Sequence, residues 1–329
     1  MTSVGFDSPA ACAAIRAGLT NPTPTRFVDT TGEWIVGHGV RPDSPLRGLN
    51  KLARMAAAVI RESLDAVAQQ DWATIPLLLC VSERTRPGRF EGLEDQLFGT
   101  VCAALGDAKF AAESCVIPHG RVACAVALLQ ARKLLQASNA PAVLIVAADS
   151  LLSGATLKAF DTGGRLLTKR NSNGFIAGEA ASAVLVARSA PGAHLSIAGI
   201  GCATEAAGIE TEEPLRADGL SQAITHALND AGCEMHDMSL RITDISGEQY
   251  YFKEASLALS RTLRRRKAEF DIWHPAECIG EVGSAIGPAM LAVAEASGRK
   301  AYAPGPGILL HASNDAGQRA AVVTRYQVS

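Results

Sequence analysis

The stretch from Gly120 to Gln136 constrains the fold more than any other part of the sequence. Ala123, Cys124, Val126, Ala127, Leu128, Leu129, Ala131, Leu134 and Leu135 set apolar side chains nearly all the way round a helix. A surface helix keeps a polar stripe for solvent, so a helix without one must be covered on every side. Short aliphatic runs can supply that cover. Ile75–Val81, Ala142–Val146, Ser182–Val186 and Gly307–Leu310 read as buried strands. Between them, Leu49–Ala68, Leu220–Ala231, Lys253–Arg265 and Ser284–Ala296 carry helical spacing. The alternation predicts an α/β architecture with largely buried sheets and a helical layer between them, which few folds provide.

A chain of 329 residues with 48 % apolar and 19 % charged residues can bury such a core, which excludes a disordered or disulfide-stapled protein. Thirty-one basic residues against 33 acidic ones give a net charge of −2, so no global field favours nucleic acid or an anionic membrane surface. No run reaches the roughly 18 apolar residues of a membrane helix. The N-terminus lacks the basic and apolar regions of a signal peptide, and the expected location is cytoplasmic. The eight cysteines, at 12, 80, 102, 115, 124, 202, 233 and 278, form no CxxC pair and no zinc-type spacing. Free thiols are expected, with no metal and no cofactor. Gly199-Ile200-Gly201 does not complete a dinucleotide fingerprint, and the chain has neither a P-loop nor HExxH.

A break falls near Ser189-Ala190-Pro191-Gly192. Strand pairs near 142–148 with 173–187, and 307–311 with 319–326, end each side of it, as in a weak internal duplication. The expected halves are 1–191 and 192–329.

Gly174-Phe175-Ile176-Ala177-Gly178-Glu179-Ala180-Ala181, followed by an apolar strand, resembles the G-[FY]-x-x-G-E-G-A turn of β-ketoacyl synthases of the thiolase superfamily. Asp149-Ser150 after its strand, the turn from Asp161 to Arg165, and the run Ala198–Gly201, Glu213-Pro214, Asp218-Gly219 and Ala227–Gly232 agree in order and spacing. Gly280-Glu281-Val282-Gly283-Ser284-Ala285-Ile286-Gly287 resembles the family's GH-x-x-G-A-A-G loop. The resemblance implies a thiolase-like five-layer α-β-α-β-α fold made of two similar halves, usually dimeric. It also implies that Ser3-Val4-Gly5-Phe6 begins just after the place of the family's first strand.

The family nucleophile is a cysteine at the N-terminus of a middle helix, where free N–H groups and the helix dipole lower its pKa. Two histidines complete that site by stabilising the carbanion and oxyanion. Matching the family's Ala-Leu-x-x-Ala stretch to Ala127–Ala131 puts Arg121 in the nucleophile position. An alternative register, with a three-residue deletion near Ser138-Asn139-Ala140, puts Cys124 there. Ser246 and Glu281 stand in the two histidine places, Ala276 in that of a lysine, and Asp315 near that of the gating phenylalanine. Arg121 and Glu281 are expected to face each other and to pair if buried, since an unpaired buried charge costs several kcal/mol.

Among the histidines, His119 and His274 are candidates for the pocket, and Ser246 with His274 makes a nucleophile–base pair only if the fold brings them together. His38, His194, His226, His236 and His311 offer no such pairing. The basic run Arg261–Lys267 is either a solvated helix end or a dock for an acidic partner. The resemblance therefore implies a degenerate ketosynthase-like protein that works by binding, as an accessory subunit or escort. Catalytically silent relatives serve polyketide systems or accompany bacterial secreted effectors. Expected partners are a second copy, another protein, an acyl carrier protein or an effector. The alternative is an active acyltransferase or 3-oxoacyl synthase using Cys124.

Overall fold

The structure, a computed structural model, describes residues 1–40, 45–137, 140–190 and 192–328. Pro191 of the expected break, and Ser138 and Asn139 of the alternative register, lie outside the described residues.

The first half runs α1 (Ser8–Arg16), β1 (Thr23–Val28), β2 (Trp34–His38), α2 (Gly48–Ser63), β3 (Leu77–Cys80), α3 (Leu97–Ala104), β4 (Cys115–Ile117), α4 (Ala123–Ala137), β5 (Val143–Ser150), α5 (Gly154–Thr162) and β6 (Ala177–Val186). The second runs β7 (His194–Thr204), α6 (Asp218–Ala231), β8 (Leu240–Thr243), α7 (Gln249–Thr262), β9 (Ile272–Trp273), α8 (Ala276–Ile279), α9 (Ile286–Arg299), β10 (Gly307–Ser313) and β11 (Gln318–Gln327). The first sheet has the order β1-β2-β6-β5-β3-β4 and the second β7-β11-β10-β8-β9. In both, a parallel trio (β4-β3-β5, β9-β8-β10) is closed by an antiparallel strand, β6 or β11. The shared connectivity makes the halves similar.

Strand alternation assigns the layers. Val143, Ile145 and Ala147 of β5 face inward with α4 and α9, while Leu144 and Val146 face outward toward α2 and α3. Ile308, Leu310 and Ala312 of β10 likewise turn inward, and Leu309 turns toward α6. The middle layer is therefore α4 with α9, enclosed by two sheets, as the all-apolar stretch at 120–136 demands. The two helices meet closely: a Cβ built on Gly287 would lie 2.3 Å from the Cβ of Cys124, so only glycine fits there.

Several boundaries differ from the sequence reading, and two of them have a visible cause or consequence. Helix α2 stops at Ser63, short of Ala68, because the Trp72 indole N–H holds the Val67 carbonyl at 3.1 Å and the chain folds back. Helix α7 ends at Thr262, so Arg264–Lys267 are not a helical turn. Lys267 Nζ instead donates to the carbonyls of His236 (2.9 Å) and Met238 (2.5 Å). Among the described residues, no helix is long and apolar enough to cross a membrane.

Candidate functional site

The site forms where the N-terminal ends of α4 and α9 meet between the halves. Chain leaving β4 turns at Gly120, whose φ of +54° is a left-handed conformation. A Cβ there would also lie 2.0 Å from a Glu83 carboxylate oxygen. The following single turn, Gly120–Val122, presents Arg121 into the interior. On the facing side Gly283, at φ +57°, lets the loop before α9 press against Asp149, and Glu281 precedes it.

Arg121 is almost wholly buried, with side-chain exposure of 7 %. One guanidinium nitrogen donates to Asp315 Oδ1 at 2.6 Å and to the Tyr251 hydroxyl at 2.7 Å. The other lies 3.4 Å from Glu281 Oε2 and 3.7 Å from Asp244 Oδ2. Its plane stands 4.5 Å from the Tyr251 ring centroid. Arg121 and Glu281 thus face each other as expected, but the closest carboxylate is Asp315. Arg165 grips the same aspartate (2.6 Å) and forks onto both oxygens of Glu248 (2.7 and 2.8 Å). Tyr251 donates to Asp315 as well. Arg86 ties Glu83 (2.8 Å) to Asp149 (2.8 Å) behind this layer, and Asp149 accepts the Ser284 amide.

Three arginines thus sit among six carboxylates, Glu83, Asp149, Asp244, Glu248, Glu281 and Asp315. The excess of acid decides how protons distribute. Burial would raise Asp315, but Arg121, Arg165 and the Tyr251 hydroxyl hold it well below the usual carboxylate range. Burial pushes Asp244 up to about 6, with Glu281 and Glu254 adding to it, against the more distant Arg121 and the Ser313 amide. Burial raises Glu281 too, against Arg121, the Gly283 amide and the Ser246 hydroxyl.

The remaining candidates have other occupations. Ser246 Oγ donates to Glu281 at 2.9 Å, and the His274 ring bonds Glu277 at 3.2 Å, so the two do not form a nucleophile–base pair. His274 Nε2 is buried without a hydrogen-bond partner among the described residues, and burial lowers its pKa. His119 bonds the Gln318 side chain at 3.2 Å, outside the ionic cluster. Ala276 is buried on α8. Cys124 is the second residue of α4, packed on Gly287, and burial pushes its thiol up to about 12. It is a neutral thiol at pH 7, the opposite of an activated nucleophile.

The space left among Glu83, Arg86, Arg121, Arg165, Glu248 and Asp315 is about 20 Å³, room for roughly one water and no acyl group. The sequence reading did not single out Tyr251, Asp244, Glu83 or Arg86, and it noted Asp149 and Glu248 only as parts of motifs, without a role in the ionic cluster. Arg165 was visible only as the end of a turn, and no spacing rule connects it to residues 150 positions away.

No protein-family model and no curated protein matches the chain. Solved structures do. The ketosynthase ApeO in complex with its chain length factor ApeC, from Xenorhabdus doucetiae, matches with a TM-score of 0.74 and 12 % identity over 99 % of this chain and 96 % of that one. The ishigamide ketosynthase/chain length factor gives 0.76 and 17 % over 99 % and 96 %. A β-ketoacyl synthase from Burkholderia phymatum STM815 gives 0.71 and 14 % over 99 % and 97 %. Likeness of this depth with so little identity establishes the thiolase-like fold of the ketosynthases.

Proposed function

We propose, from this ketosynthase-type fold and its filled pocket, that the chain is a catalytically silent relative acting by binding another protein. The observation that carries the reading is Arg121. It takes the place that the family resemblance gives to a nucleophile, and its bonds to Asp315, Tyr251 and Glu281 occupy the room an acyl thioester would need. An arginine cannot serve as a general base or nucleophile at neutral pH, because its guanidinium stays protonated.

Ketosynthases appear among the structural relatives in complex with chain length factors, and such a heteromeric subunit is the partner role this chain fits best. A second copy of the chain or an effector under escort would use the same silent fold. Native mass spectrometry of the chain co-expressed with a catalytically intact ketosynthase from the same source tests the reading. A one-to-one heteromer is expected. The chain recovered apart from that ketosynthase, with an acyl group on one of its own cysteines, would contradict it.

The alternative enzyme using Cys124 makes a separate expectation. Iodoacetamide at pH 7.5 should label Cys124 more slowly than free cysteine, because the thiol is buried and protonated. Rapid, selective labelling there would restore the enzyme reading.

A further inference from the structure

We propose that the outer face of the second sheet, beneath α7, binds a small monovalent anion of chloride size between Arg241 and His274. Strand register brings the two side chains together. Ile242 and Leu310 turn inward to the middle layer, so Arg241, Thr243 and His311 point outward. Arg241 pairs with Ile272 and Ile242 with Trp273, so His274 follows beside Thr243. The ring of Phe252, on α7, meets the His274 ring at 5.4 Å, which places His274 on the same outer face. His274, Thr243 and His311 thus stand in a row across the sheet, with Arg241 two residues before Thr243.

Two atoms in this cluster point to a ligand. Among the described residues, Arg241 Nε and His274 Nε2 are the buried side-chain polar atoms without a hydrogen-bond partner. Arg241 is only 8 % exposed. One of its terminal nitrogens donates to the Phe270 carbonyl at 3.0 Å, and the Phe270 ring stands 4.8 Å from the guanidinium carbon. No carboxylate of the described residues forms an ion pair with it, and Asp271 attracts it only from farther off. A buried cation without a counter-charge is strongly destabilising, and an anion at Nε supplies that charge.

The second atom couples the ligand to a proton. Glu277, 3.2 Å from Nδ1, keeps the proton of the neutral His274 ring on that nitrogen, which leaves Nε2 an acceptor. An anion needs a donor there, so His274 gains a proton when the anion binds. Guanidinium and imidazolium then face the anion and the Glu277 carboxylate, two charges of each sign. The neighbouring groups are otherwise engaged. His311 Nδ1 lies 3.3 Å from the Thr243 hydroxyl, which donates to Asp244 at 3.3 Å. Glu254 of α7 holds Arg319 and Ser313, each at 2.7 Å, while Lys253 and Asp271 are exposed. Phe252 and Phe270 add apolar walls, which favour a halide over a strongly hydrated phosphate. The inference does not depend on the reading of the filled pocket at Arg121.

Chloride-35 NMR of the full chain in sodium chloride tests it, together with the His274 titration followed by imidazole NMR in chloride and in gluconate. The excess chloride line width should be at least ~3-fold larger at pH 5.5 than at pH 8, because binding takes up a proton. Chloride at about 0.2 M should make His274 hold its proton about tenfold more tightly than gluconate does. Arg241→Met and His274→Gln should each remove the excess width. His274→Gln should also keep the thermal midpoint of the parent within about 2 °C in chloride-free buffer at pH 8, so it decides the matter even where Arg241→Met fails to fold. A His274 titration identical in the two salts would overturn the proposal, by assigning both atoms to water. Excess line width that survives in His274→Gln would overturn it as well, by marking adventitious surface ions only.

Discussion

The two middle helices differ sharply between their shafts and their N-terminal ends. Along the shafts, α4 and α9 meet through Cys124 on Gly287 inside an apolar cluster that both sheets share. Three residues before Cys124, Arg121 enters a network of buried ions with Glu281, Asp244 and Asp315. The shafts hold the fold by burial and close approach. The ends carry a lock of buried ions instead. Different physics therefore maintains each part.

The largest way to break this contrast is Arg121→Met. It leaves Asp315, Asp244 and Glu281 without their shared cation, and chemical denaturation should show a loss of about 3–5 kcal/mol. Asp244→Asn acts in the opposite direction. In the native state Asp244 keeps its proton to about pH 6, while the unfolded chain releases it near 3.8. The native state thus binds more protons between those values, and stability falls as pH rises through them. The two-unit gap corresponds to about 3 kcal/mol. The asparagine variant should lose that fall and gain a similar amount at pH 7, with little change at pH 4.

In the shafts, Gly287→Ala should cost about 1–3 kcal/mol by overpacking. Cys124→Gly removes the opposing Cβ, so the double variant should cost less than the sum of the two single ones. The smallest effect is expected from Ser246→Ala. It takes one donor from Glu281, lowers stability by about 1 kcal/mol and raises the Glu281 pKa further. The midpoint of its pH profile, followed by carboxylate NMR, checks the direction.

The shaft was legible in the sequence and most of the lock was not. An apolar run that must be covered all round announces a middle layer, and the unbroken aliphatic run from Ala142 announces a buried strand against it. Motif order then located Arg121, Ser246, Glu281 and Asp315. The partners Arg165, Glu248 and Tyr251 come from elements far apart in the chain, and a charge gives no periodic signal. Each looks like a surface residue until the fold closes. Motif order marked Arg165 as the end of a turn, but nothing in the sequence showed that it lies beside Phe160 and Phe175 and grips Asp315. His274 failed as a pocket residue for a similar reason: its neighbour in space is Glu277, three positions on, rather than Ser246.

Under the proposed function, the end of α4 carries out no acyl transfer. Intact-protein mass spectrometry after incubation with a hexanoyl thioester, followed by peptide mapping, tests it most directly. The ion lock at Arg121 and the protonated, buried Cys124 predict an unchanged mass. A single hexanoyl group mapped to Cys124 or Ser246 would contradict the account.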